Sequence, residues 1–152
     1  MYHIFLLNLL ETNNKMQFNV SQTEETVLYK LLTGTIIPRP IGWISTIDND
    51  GINNLAPFSY FNMVSSYPPC VMFSTRRDNN KNKDTLNNVL TTNEFVANLV
   101  TLENVEQMNT TSGNFQPDED EFEITNLTPI DSVSVKPKRV KESLVNLECE
   151  MI

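Results

Sequence analysis

Residues 38–61 read PRPIGWISTIDNDGINNLAPFSYF and hold the strongest structural signals of the chain. The two prolines at the start fix their own φ angles and restrict the residue before each of them, so the segment begins extended. Residues 41–47 are rich in β-branched and aromatic side chains, which predicts a strand. Residues 48–51, Asp-Asn-Asp-Gly, tolerate the positive φ angles of a tight turn. We therefore expect a hairpin whose returning strand and its continuation cover 52–61.

A helix is predicted on the N-terminal side of this hairpin. Residues 21–24, Ser-Gln-Thr-Glu, have the spacing of a capping box, and apolar residues then repeat at helical intervals from Val27 to Leu32. Gly34 follows this pattern and is expected to end the helix in the C′ position.

On the C-terminal side, residues 71–74 and 95–100 are short apolar runs bounded by turn formers, which predicts two buried strands. Asp84 precedes apolar residues at helical spacing, so we expect a short helix capped by Asp84, and another near Leu102. The regular strand and helix alternation of a doubly wound sheet is absent. The pattern predicts a mainly β protein, a barrel or sandwich-like core with short inserted helices.

Length and composition favour one domain. At 152 residues and 39 % hydrophobic content the chain can build a single core, which we place in residues 16–152. Residues 1–15 lack the flanks of a secretion signal and are expected to be a poorly ordered extension. No run approaches the roughly 18 apolar residues of a membrane span, and Cys70 and Cys149 lack the spacing of a secreted scaffold. A cytoplasmic location is the expectation.

The charge of the chain argues against two classes of partner. The formal net charge is -8 and the sequence pI is about 4.6, so the long-range field repels nucleic acid and anionic membrane surfaces. A small anionic ligand remains compatible with this charge, because a local pocket of amides and one or two cations overrides the net field at short range.

The residue inventory also excludes several kinds of site. The single histidine is His3, so Ser-His-Asp and Cys-His nucleophile systems lack a base within the predicted domain, and no tetrahedral zinc set can be assembled. Four glycines are too few for a Rossmann fingerprint or a P-loop. The acidic residues 118–121 are expected to form a solvated loop, because acid–base catalysis needs a buried carboxylate with a shifted pKa.

Three polar clusters lie where a predicted strand ends or a turn begins. They are Arg39 with Ser45 and Thr46, residues 54–59, and Lys83 with Asp84 and Thr85. Together they offer two cations, hydroxyls and a helix N-terminus, which a phosphate monoester requires, and neighbouring aromatic side chains could flank a planar ring. FMN has both a phosphate monoester and a planar aromatic ring. The alternative is that these residues are solvent-facing strand positions, a helix start and surface charges, with the aromatic residues in the core.

The same residues resemble the signature of the flavin reductase-like, FMN-binding split-barrel family. The motifs that match, in the order in which they occur, are PRPIGWIST at 38–46, the turn at 48–51, NLAPFSYF at 54–61, Pro68-Pro69, KDT at 83–85 and EFVANL at 94–99. The match runs from about Tyr29 to about Cys149. It implies a Greek-key split β-barrel that forms a homodimer, with FMN close to the subunit interface.

The resemblance also implies a set of flavin contacts. Arg39, Ser45 and Thr46 are expected at the ribityl and phosphate end of FMN, with Lys83, Asp84 and Thr85 completing the phosphate pocket. The backbone of Asn54, Leu55, Ala56 and Pro57 is expected to line the isoalloxazine ring, with Ser59, Tyr60 and Phe61 beside it.

The implied activity is that of an oxidoreductase in which NAD(P)H passes hydride to the flavin. Two alternatives stay open, a flavin-binding electron carrier without turnover and a truncated, inactive fragment of the family. The second alternative arises because family members continue past the strand at 147–149, whereas this sequence stops at Ile152. A barrel that is incomplete at its C-terminus is therefore expected, with unpaired strand edges.

Overall fold

The computed structural model describes residues 6–11, 14–75 and 81–152, and the chain divides into two compact units, 1–38 and 39–152. The described part of the first unit contains β1 (Leu6–Glu11), β2 (Asn14–Asn19), a 3₁₀ turn at Val20–Gln22 and α1 (Glu25–Thr35). Strands β1 and β2 pair antiparallel. Residues 1–5 and 12–13 lie outside the described part, so the expectation of a poorly ordered extension over 1–15 and one domain over 16–152 stays a prediction.

The second unit is mainly β with short helices, as predicted. Its described strands and helices are β3 (Gly42–Ile47), β4 (Asn53–Phe58), β5 (Phe61–Ser66), β6 (Pro69–Phe73), α2 (Asp84–Thr92), β7 (Glu94–Asn98), α3 (Val105–Thr110), α4 (Glu121–Ile124), β8 (Pro129–Ile130), β9 (Arg139–Val140) and β10 (Asn146–Glu150). An antiparallel sheet has the order β10-β7-β3-β4, while β5 pairs with β6 and β8 with β9. Strand β4 is thus an edge strand of the four-stranded sheet.

The four-stranded sheet carries a hydrophobic core on each face, because successive side chains of a strand point to opposite sides. On one face, Trp43 and Leu55 pack with Phe122, Leu127 and Val140. On the other face, Ile44 packs with Val89 of α2 and with Phe95 and Ala97 of β7. We call these the α4 face and the α2 face, after the helix that contributes to each. The sheet is therefore buried on both sides.

The hairpin predicted from the central segment is confirmed. Strand β3 covers six of the seven predicted residues, and the Asp48 carboxylate accepts hydrogen bonds from the amides of Asp50 and Ile52 at 2.9 and 2.8 Å. Gly51 adopts a φ angle of 89°. The predicted continuation to residue 61 is interrupted, because β4 ends at Phe58 and a new strand begins at Phe61.

Three details of the predicted helix ends are wrong. The Asn19 side chain accepts from the Ser21 amide and caps the 3₁₀ turn, so α1 starts only at Glu25 and has no side-chain cap. Gly34 lies inside the last turn of α1 instead of after it. Asp84 is the first residue of α2 and does not cap it, because Lys83 occupies the N-cap position.

None of the helices in the described ranges combines the length and the apolar character that crossing a lipid bilayer demands.

Candidate functional site

Three consecutive residues of the edge strand β4 are tied to the starts of two helices. Asn53 Nδ2 donates to Asp120 Oδ2 at 2.8 Å, and the Leu55 amide donates to Glu121 Oε2 at 3.0 Å. Between them, Asn54 Nδ2 donates to Thr85 Oγ1 at 2.8 Å. Asp120 and Glu121 begin α4, whereas Thr85 is the second residue of α2. The strand is thus held between the N-termini of α4 and α2.

The start of α2 carries the third predicted polar cluster. Thr85 is fully buried and makes the bond to Asn54, while Asp84 is half-buried and Lys83 is exposed. The ammonium group of Lys83 donates to Asn114 Oδ1 at 3.4 Å. The N-cap residue of α2, Lys83, provides no side-chain cap to the first turn, where the helix dipole is positive. Two of the three predicted clusters, 54–59 and 83–85, therefore adjoin each other.

Ser45 and Thr46 lie on opposite faces of the sheet. The hydroxyl of Thr46 accepts from Asn88 Nδ2 of α2 at 3.1 Å, which places Thr46 on the α2 face with Asn54. Ser45 is on the α4 face, where it donates to the Lys138 carbonyl. Both side chains are fully buried in the single chain. The structure does not bring Ser45 together with Thr46, and their contact with a flavin stays a prediction.

The other predicted residues lie along β4 and the start of β5. Ala56 pairs with Ile44 and Pro57 with Trp43 in the β3–β4 ladder. Ser59 and Phe61 are half-buried and Tyr60 is 41 % exposed. Arg39, half-buried, lies three residues before β3. These positions form a continuous segment around β4, except for Arg39, which precedes the start of β3, where Gly42 pairs with Phe58.

Gly42 is required by the close approach of Phe61. A Cβ atom at position 42 would lie 2.5 Å from Phe61 Cδ2 and 2.6 Å from Phe61 Cγ. The Phe61 ring packs on the α2-face core, so it has little room to retreat. The glycine of the PRPIGW motif thus sets the position of an aromatic residue expected beside the flavin ring.

We expect Gly42→Ala to lower the free energy of unfolding by about 1–3 kcal/mol, because the added methyl group overpacks the contact with Phe61. Urea denaturation followed by circular dichroism measures the change. Gly34→Ala is the matched control, since no atom lies within 4 Å of the corresponding Cβ position and alanine favours a helix. Equal stability of the Gly42→Ala variant and the wild type would contradict the steric argument.

Glu121 is a site residue that the sequence reasoning missed. The prediction of a solvated loop over 118–121 holds for Asp118 and Glu119, which are exposed, but is wrong for Glu121, which is 6 % exposed. Burial above all, together with the nearby Asp120 and Asp84, raises the pKa of the Glu121 carboxyl to about 7, although the hydrogen bond from Leu55 opposes this shift. A buried carboxyl that titrates near neutrality therefore lies against β4.

Behind the site, Asn98 joins four strands. Its Nδ2 donates to the Trp43 carbonyl at 2.9 Å and to Ser45 Oγ at 3.1 Å. Its Oδ1 accepts from the Val140 amide at 3.0 Å and from Asn146 Nδ2 at 2.8 Å. Asn98 is 2 % exposed, so its amide group is hydrogen-bonded to the protein instead of to water. In the sequence, Asn98 could have been singled out because it is the one amide residue in the apolar run 95–100.

Comparison with known proteins identifies the family. The family model described as "Flavin reductase like domain" matches residues 33–152. An uncharacterized protein of Aquifex aeolicus is 50 % identical over 137 residues, which cover 90 % of this chain and 70 % of that protein.

Two solved structures have a fold similar to that of this chain. Nitrilotriacetate monooxygenase component B from Bacillus cereus is 37 % identical with a TM-score of 0.87, covering 91 % of this chain and 69 % of that one. A structure from Shewanella frigidimarina described as having a split barrel domain is 24 % identical with a TM-score of 0.74, covering 87 % and 65 %. This chain therefore spans about two thirds of the length of these proteins. It belongs to the flavin reductase-like family and has the split-barrel fold.

Proposed function

We propose that this chain binds FMN and acts as an oxidoreductase in which NAD(P)H reduces the flavin. The observation that carries the proposal is the hydrogen bond between Asn54 and Thr85. It joins the segment expected to line the flavin ring to the segment expected to hold the phosphate. The two segments expected to bind the two ends of one ligand are thus in contact with each other.

The start of α2 fits the phosphate end of such a ligand. Its first-turn amides have no side-chain cap, and helix N-termini favour anions. The exposed Lys83 adds a cation at the same place. The half-buried Asp84 works against an anion, so the amides and Lys83 must outweigh its charge.

The strand β4 and the residues after it fit the ring end. Residues 54–57 offer backbone groups at a sheet edge, and the partly exposed Tyr60 offers an aromatic surface. When bound, FMN would supply the hydride-accepting ring, and the chain supplies binding, orientation and hydrogen bonds.

The relatives support the oxidoreductase class. The Bacillus cereus protein is a component of a monooxygenase, and the family model describes a flavin reductase-like domain. A homodimer with FMN near its interface and a cytoplasmic location belong to the same proposal.

The experiment is a spectrum followed by two titrations. Purified protein should bind added FMN, seen as a perturbed flavin absorption spectrum and quenched flavin fluorescence. With FMN present, it should oxidise NADH or NADPH, seen as a fall in nicotinamide absorbance. Flavin binding without nicotinamide oxidation would favour the electron carrier. No binding of FMN would exclude both.

We expect Lys83→Ala to weaken FMN binding by about 1–3 kcal/mol, because the variant loses a charge-assisted contact with the phosphate. Fluorescence titration measures the dissociation constant. Lys81→Ala is the matched control, since Lys81 is also exposed and lies two residues earlier. Riboflavin, which has no phosphate, should bind both variants and the wild type alike. Unchanged FMN affinity in Lys83→Ala would contradict a phosphate site at the start of α2.

A further inference from the structure

We infer that Glu121 is a positioning residue of the flavin site proposed above, and that its carboxyl group couples the binding of a flavin phosphate to the uptake of a proton. The inference rests on the proposed function, because it concerns the same site. Glu121 is the first residue of α4, it is almost completely buried, and its Oε2 accepts from the Leu55 amide at 3.0 Å.

The contact with Leu55 serves the edge of the sheet. Every second amide of an edge strand points away from its neighbouring strand and needs another acceptor. The Leu55 amide finds this acceptor in Glu121, next to the bonds that Asn53 and Asn54 make to Asp120 and Thr85. Glu121 thus holds the strand that is expected to line the flavin ring, while the adjacent Asn54 bonds to Thr85 at the expected phosphate end.

The charges that face Glu121 have the same sign as its own. Asp120 faces it from the start of its own helix and Asp84 from the start of α2. Strand β4 carries no titratable side chain, and α3, which also packs against β4, has only Glu106, which is exposed. Burial and these two carboxylates raise the pKa of Glu121 to about 7. Near neutral pH the site therefore exchanges one proton.

An anionic phosphate at the start of α2 adds to the negative charge around Glu121. Binding then favours the protonated, neutral form of the carboxyl group, and by linkage protonation favours binding. The affinity for FMN should fall as the pH rises through about 7, because the carboxylate that forms repels the phosphate. Riboflavin carries no phosphate, so its affinity should not fall with pH for this reason.

The test compares FMN with riboflavin in the wild type, Glu121→Gln and Glu123→Gln at low ionic strength, between about pH 6 and 8. Glutamine at 121 keeps an oxygen acceptor for Leu55 and removes the charge. Glu123 lies on the same short helix but is exposed, so Glu123→Gln controls for a lost charge. The second ionisation of the phosphate lies near pH 6 and is common to all three proteins, so it cancels in the comparison.

We expect the ratio of FMN to riboflavin affinity to fall by about threefold to tenfold more in the wild type than in Glu121→Gln, as for repulsion between like charges in a partly buried site. Glu123→Gln should follow the wild type. Calorimetry in buffers of different ionisation heat should show that the wild type takes up more protons per FMN bound than Glu121→Gln does. Identical ratios at every pH, or equal proton uptake by the two proteins, would overturn the inference and leave the proposed function standing. Absence of flavin binding in all three proteins would overturn both.

Discussion

Replacement of Asn98 by leucine should lower the free energy of unfolding by about 4 kcal/mol. Leucine has the same number and branching of side-chain heavy atoms as asparagine but is bulkier, so no cavity forms, and the loss comes from polar groups left without partners together with some overpacking. The Trp43 carbonyl, the Val140 amide and the Asn146 amide group would each lose a hydrogen bond in a buried setting. Natural domains have a free energy of unfolding of only about 5–15 kcal/mol, so this loss would remove a large share of the stability.

The chain offers its own probe for this measurement. Trp43 is the single tryptophan, it is fully buried, and it pairs with Asn98 in the β3–β7 ladder. Urea denaturation followed by tryptophan fluorescence therefore reports on the structure around position 98. Asn109→Leu, at an exposed position of α3, should change the stability by no more than about 0.5 kcal/mol. A similar small change in Asn98→Leu would show that water or other groups replace the lost bonds.

The parts of the fold that depend on local chemistry could be predicted from the sequence. The turn at 48–51 forms because the Asp48 carboxylate binds amides two and four residues later and because Gly51 has a positive φ angle. The interactions involved lie within five residues of one another. Propensity and turn chemistry are sufficient at this range.

The separation of Ser45 from Thr46 follows from a property that the sequence already contained. Adjacent residues of a strand point to opposite faces. Once 41–47 is predicted as a strand, the two hydroxyls are expected on opposite faces, and the contact of each with a flavin stays a prediction. The structure has Thr46 bonded to α2 and Ser45 bonded to the Lys138 carbonyl on the α4 face. A resemblance transfers positions along the chain, whereas the strand period decides which of them share a face.

The burial of Glu121 could not be predicted from its neighbours. Four consecutive acids at 118–121 have the same local composition, and α4 is only four residues long, too short to show a helical period. What distinguishes Glu121 is a contact 66 residues away, with the Leu55 amide. Such long-range contacts decide which residue of an acidic run becomes buried.

The same burial predicts an unusual dependence of stability on pH. The pKa of Glu121 is raised from 4.5 to about 7 in the folded chain, first by burial and then by Asp120 and Asp84. A raised carboxyl pKa means that the folded state binds the proton more tightly than the unfolded state between these values. The stability that this proton provides is complete below about pH 4.5 and is lost as the pH rises through about 7. The shift corresponds to about 3 kcal/mol.

Other carboxylates act in the opposite direction, so the wild type alone cannot reveal this effect. Hydrogen bonds from Lys138 hold the pKa of Asp131 below its usual range, and the amides of Val133 and Ser134 do the same for Glu148. Their contributions to stability are lost on acidification. They are common to the wild type and to any variant at position 121, and the difference between the two proteins removes them.

We therefore expect Glu121→Gln to become more stable than the wild type as the pH rises, by about 3 kcal/mol at pH 8 relative to their difference at pH 4.5. Urea denaturation at a series of pH values, followed by the fluorescence of Trp43, measures this difference. Glu123→Gln removes the same charge from an exposed position and should track the wild type at every pH. A difference between Glu121→Gln and the wild type that stays constant across this range would show that Glu121 folds with an ordinary pKa, and that its bond to Leu55 offsets the loss of water.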